Sequence, residues 1–189
     1  MTPDDITHEL KQRFGDRVQA LPPDAWQIET DDFRLLVLLS KDLSWLRLLI
    51  PIAPQPQAEP YMRQILAANF DYTQEARYAF YEAVLWGVFQ HDRETLTADS
   101  FQSATERLLA LKAEGLDRFF NDLVEAQIRQ IIQAAKLQGQ TLEETLKTLE
   151  RFYAEGVMGE LSMSESSRQN TLEAWQRQLE RLWPEIEVQ

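Results

Sequence analysis

Three strand-like runs joined by two-residue connections constrain this chain more than any other feature. Trp26-Gln27-Ile28-Glu29-Thr30 alternates with period two, residues 33–40 are apolar with Arg34 as their only charge, and residues 43–52 form a third extended run. Only Asp31-Asp32 and Lys41-Asp42 separate them. Parallel neighbours need a crossover of about a dozen residues or more, so connections this short require an antiparallel meander. Pro51 and Pro54 are expected to close the third strand.

The remaining pattern places helices around that meander. Residues 4–14 read as a helix with Ile6, Leu10 and Phe14 on one stripe, ended by Gly15. Pro22-Pro23-Asp24 punctuates the chain before the first strand. Residues 55–60 read as a linker, and a helix over residues 59–70 is expected to turn Met62, Ile65, Leu66 and Phe70 to the core. Residues 77–83 and 84–91 are rich in strand formers, with helix as the alternative over residues 73–85. From Asp99, a capping candidate, the pattern is helical through Leu108 and Leu111.

Beyond Gly115 the chain stays helical. Leu116, Phe119, Phe120, Leu123, Ile128, Ile131, Ile132 and Ala135 trace one face until Gly139. Thr141-Leu142-Glu143-Glu144 opens a helix carrying Leu146, Leu149, Phe152 and Tyr153. Gly156, Gly159 and the serines at 162–167 read as a flexible connection. A last helix carries Leu172, Trp175, Leu179, Leu182 and Trp183, and Pro184 ends it. The expected fold is therefore α+β. Residues 1–115 hold a twisted antiparallel sheet of about five strands with flanking helices. Residues 116–189 form an amphipathic helical extension that either packs on the first domain or stands apart.

Composition excludes several function classes. With 31 acidic against 19 basic residues the formal net charge is −12, which repels phosphate backbones and anionic membrane surfaces. No nucleic-acid partner and no membrane insertion are expected: Lys41, Asp42 and Arg47 break the longest apolar stretch. Met1-Thr2-Pro3-Asp4-Asp5 does not read as a signal peptide, so a cytoplasmic location is expected. The chain has no cysteine, and its two histidines, His8 and His91, lack the spacing of a metal site. Asp4-Asp5, Asp31-Asp32 and Glu143-Glu144 fall at helix starts and turns, where capping accounts for them. Six scattered glycines form no phosphate loop. No catalytic residue, cofactor or metal is expected.

One feature exceeds a core-packing account. Arg34 and Arg47 sit mid-strand in apolar runs. Alternation puts Leu36 and Leu38 on the face of Arg34, and Trp45 and Leu49 on the face of Arg47. Either the C-terminal helices cover that face while the arginines snorkel, or the face is a groove for an extended peptide.

The order α-β-β-β-α-β-β-α, with a middle helix ending in Leu66-Ala67-Ala68-Asn69, resembles class I type III secretion chaperones and the wider fold that shares their architecture. The resemblance covers residues 4–112. It departs from the family at Asp71-Tyr72-Thr73-Gln74-Glu75, where a glycine-rich turn is usual, and in about seventy further residues. It implies a non-enzymatic homodimer that binds a disordered stretch of a client protein by strand addition and apolar pockets. Carried onto this chain, it makes Arg34, Leu36, Leu38, Trp45, Arg47 and Leu49 the partner-binding candidates. The competing reading is a small-ligand sensor or enzyme built on the aromatic cluster around Trp86, with His91, Asp92 and Glu94 nearby.

Overall fold

The computed structural model describes residues 1–21, 23–154 and 175–187. Pro22, the glycine and serine connection at residues 156–167, Leu172, and the side chains of Phe152 and Tyr153 lie outside the described residues. The chain divides into two compact units, Met1–Phe120 and Asn121–Gln189.

In the first unit, helix α1 (Pro3–Phe14) starts with a capping box: the Thr2 hydroxyl accepts from the Asp5 amide, and the Asp5 carboxylate accepts from the Thr2 amide. Ile6 and Leu10 are buried on its expected stripe. Strands β1 (Val18–Leu21), β2 (Ala25–Glu29), β3 (Arg34–Leu39) and β4 (Trp45–Pro54) follow as consecutive antiparallel neighbours. The meander required by the short connections is present. The sheet has six strands rather than five, because Val18–Leu21 pairs with β2 along one edge.

Two further expectations are corrected between β4 and the next strand. Pro51 does not close β4; it pairs with Trp86, and a register shift between Pro51 and Ala53 carries the strand on to Pro54. Residues 55–60 are not a linker but a short helix α2 (Gln55–Ala58) and a 3-10 turn (Glu59–Tyr61). Proline in a first helical turn removes no intrahelical bond, so Pro56 and Pro60 begin these turns rather than break them. Helix α3 (Met62–Ala68) then buries Ile65 alone, while Met62, Leu66 and Phe70 are exposed, Phe70 at 94%. Positions 62, 66 and 70 share one face of the turns they occupy, and that face points away from the core. Asn69, the C-cap of α3, accepts the Tyr78 amide at 2.7 Å and donates to the Tyr78 carbonyl at 3.0 Å. That clasp sets the start of β5.

Residues 73–85 are strand and turn, not helix. β5 (Arg77–Tyr81) and β6 (Val84–Asp92) form a hairpin whose two-residue turn, Glu82-Ala83, has positive φ at both positions. This is the requirement of a primed turn. The sheet order is β1-β2-β3-β4-β6-β5. Its inner face holds Trp26, Ile28, Leu35, Val37, Leu46, Leu48, Ile50, Leu85 and Phe89, all buried in one cluster with α1 and helix α4 (Ala98–Glu114). Thr97, not Asp99, caps α4, accepting the Ser100 amide at 3.1 Å. Phe101, Ala104, Leu108 and Leu111 are its buried stripe. Gly87 permits the close approach of α4: a Cβ there would lie 2.9 Å from Ile50 Cγ2 and 3.1 Å from Leu108 Cδ2.

Helix α5 (Asp117–Leu137) contributes Phe119 to the first core, edge-on to Tyr78 at 5.4 Å between ring centres. Phe120, expected on the same stripe, is 53% exposed. Ile128 and Ile132 belong to the second core, with Leu149 of α6 (Leu142–Ala154) and Leu179 and Leu182 of a helix covering residues 175–182. Trp175 and Trp183 pack against that cluster. Glu125 accepts from Arg129 at 3.0 Å and from Arg181 at 2.7 Å, which holds its carboxyl below the usual range.

Candidate functional site

The outer face of the sheet is assembled by register alone. Leu36 lies opposite Leu49, Leu49 opposite Val88, and Val88 opposite Arg77, so one row crosses β3, β4, β6 and β5. A second row runs Leu38, Arg47, Gln90, and a third runs Pro51, Trp86, Ala79. Because side chains alternate along a strand, every residue of these rows points away from the buried core. Leu36, Leu38, Leu49, Ala79 and Trp86 are partly exposed, and Tyr81 at the hairpin is 66% exposed. Together with Val88, Arg47, Arg77 and Gln90 they line a groove of about 510 Å³. A water-facing sheet surface normally reads polar in alternation with the core; this one is apolar along three strands.

Polar contacts fix the groove's edge groups. Arg47 donates from Nε and Nη2 to Gln90 Oε1 at 3.2 and 3.0 Å. Its guanidinium also lies 4.8 Å from the centre of the Trp45 ring, within cation–π range. Trp86 Nε1 donates to the Tyr81 carbonyl at 3.1 Å, which holds the indole across the hairpin.

Four of the six sequence candidates, Leu36, Leu38, Arg47 and Leu49, line the groove. Trp45 stands beside it against Arg47. Arg34 does not join it: it is paired with Glu29, its cross-strand partner at the far end of β3. Sequence reasoning missed Arg77, Ala79, Val88 and Gln90 as members, and assigned Trp86 and Tyr81 to a different, aromatic cluster. Residues 85–89 are apolar on both faces, so no alternation marked which ones face outward.

No protein-family model matches the chain, and no curated protein matches it. The fold is similar to that of type III secretion chaperones. Solved structures that show the likeness include the Yersinia pestis type III secretion chaperone SycH with a stable fragment of YscM2. Its identity is 12%, covering 60% of this chain and 99% of that one, with a TM-score of 0.48. The ExsC–ExsE complex matches at 17% identity over 60% of this chain and 95% of that chain, TM-score 0.48. The ExoU–SpcU heterodimer of the Pseudomonas aeruginosa type III secretion system matches at 14% identity, covering 59% of this chain and 95% of that one, TM-score 0.49.

The aromatic residues near Trp86 do not form one cluster. Tyr78 and Phe89 are buried on the inner face and Phe80 packs against the same core, whereas Trp86 and Tyr81 point outward. His91 pairs with Leu46 in the inner-face register and stacks on Phe89, so the sheet separates it from Trp86. The Asp92 carboxylate accepts from the Thr95 amide and hydroxyl at 3.0 and 3.2 Å, which lowers its pKa. Among the described residues no group of three or more His, Asp or Glu side chains is placed to hold a metal ion, and no helix is long and apolar enough to cross a membrane.

Proposed function

We propose that this protein is a non-enzymatic binding module, a chaperone or assembly factor, that holds an extended segment of a client protein against the outer face of its sheet. The observation that carries the reading is the apolar groove formed by Leu36, Leu38, Leu49, Val88 and Trp86 on a surface that accessible sheets normally keep polar. An extended segment matches its geometry: side chains at alternate positions enter the rows, and the intervening ones face solvent. Leu49 is the most central of the sequence candidates, with Leu36 and Val88 as its cross-strand neighbours.

The test is capture of client from an extract of the native cell by tagged wild-type protein and by Leu49→Asp, with light scattering on the eluted complex. The reading expects one dominant protein at fixed stoichiometry with wild type and at least tenfold less with Leu49→Asp. Equal capture by a folded Leu49→Asp variant contradicts it. The chaperone resemblance implies a cytoplasmic homodimer, and the scattering mass reads that stoichiometry directly.

A further inference from the structure

The charges around the groove run against the charge of the whole chain. On a protein with 31 acidic and 19 basic residues, the ionised side chains lining the groove are Arg47 and Arg77, and both are cations. Neither meets a carboxylate among the described residues: Arg47 is held by the neutral Gln90 amide and the Trp45 ring, and Arg77 is exposed at the β5 edge. Of the acids beside the groove, Glu29 is ion-paired with Arg34, Glu82 is hydrogen-bonded to Tyr81, and Asp92, the next residue after Gln90 on that face, accepts from Thr95; none is paired with Arg47 or Arg77. An apolar trough flanked by two cations without acidic partners complements a ligand that is apolar in the middle and acidic at both ends.

Register sets the spacing of those acids. Arg47 on β4 and Arg77 on β5 are separated by one intervening strand and by one row along it. Two inter-strand steps of about 4.8 Å and one two-residue step of about 7 Å put their backbones roughly 12 Å apart. In an extended peptide, residues i and i+4 share a face and lie about 13 Å apart, with i+2 between them on that face. Resting on the client-binding reading above, we infer that the groove selects an acidic–x–apolar–x–acidic segment of a partner protein, its carboxylates on Arg47 and Arg77 and its apolar residue over Leu49 and Val88.

Fluorescence anisotropy of the full-length protein with labelled nine-residue peptides tests this. The peptides share a central leucine and carry glutamate, glutamine or lysine at the two flanking positions. The expected result is that the glutamate peptide binds at least tenfold tighter than the glutamine peptide and the lysine peptide weakest. Arg77→Gln should weaken the glutamate peptide at least fivefold more than it weakens the glutamine peptide, so that most of the preference is lost. Equal affinity for all three peptides, abolished by Leu49→Asp, overturns the charge selection and leaves the groove standing. No binding of any peptide, or binding indifferent to Leu49→Asp, overturns both. Light scattering that shows a second copy of the chain filling the groove, displaced by none of the peptides, also overturns the inference.

Discussion

Single residues in this sheet sit where general rules predict a measurable cost or gain. Glu82 and Ala83 both adopt positive φ in the β5–β6 turn, a region that asparagine and glycine occupy with less strain. Glu82→Asn with Ala83→Gly should therefore stabilise the protein by about 1–2 kcal/mol, read as a raised midpoint in denaturant. Gly87 gives the opposite expectation. Its Cβ would fall 2.9 Å from Ile50 Cγ2 beneath α4, so Gly87→Ala should destabilise by about 1–3 kcal/mol through overpacking. Asp42 is a pH probe. Hydrogen bonds from the Ser40 hydroxyl and from the Ser44 hydroxyl and amide hold its carboxyl at about 2 instead of 3.8. A depressed folded pKa contributes stability above the ordinary value and loses it as pH falls through the folded one. The stability gap between wild type and Asp42→Asn should be full at pH 6 and close between pH 4 and 2 in chemical unfolding. A gap that does not change with pH contradicts this.

At the scale of elements, what the sequence made legible follows from local rules. The meander was readable because connections this short, four residues (30–33) and five (40–44) in the structure, leave no other topology, and α1, α4 and α6 because their apolar stripes mark them. β1 was not readable: Val18 to Leu21 is an edge whose Ala20 and Leu21 stay exposed, so burial leaves no periodic trace. α2 was hidden by prolines that punctuate loops and helix starts alike. On α3 the apolar stripe of Met62, Leu66 and Phe70 suggested a core face, yet the core needed only Ile65. The groove was half legible for the same reason. β3 and β4 carry arginines that mark their outer face, whereas β6 is apolar on both sides and only pairing register separates Trp86 and Val88 from Leu85 and Phe89. Helix α4 seals the inner face. Leu108→Ala, at a fully buried position beside Gly87, should cost about 2–5 kcal/mol in denaturant unfolding, and a cost below 1 kcal/mol would contradict that packing.

For the whole molecule, one surface of the sheet builds a core and the other carries an apolar groove on an acidic chain. The inner face is covered by α1 and α4; the outer face presents leucines, a tryptophan and two arginines along the groove. The most direct measurement is photo-crosslinking in native cell extract. A photoreactive phenylalanine analogue is placed at position 36 or 49 on the outer face, and at the exposed position 106 on α4 as the control. The account predicts one defined protein adduct from 36 and 49 and none from 106. Adducts that form equally from position 106, or outer-face positions that give none, would contradict it.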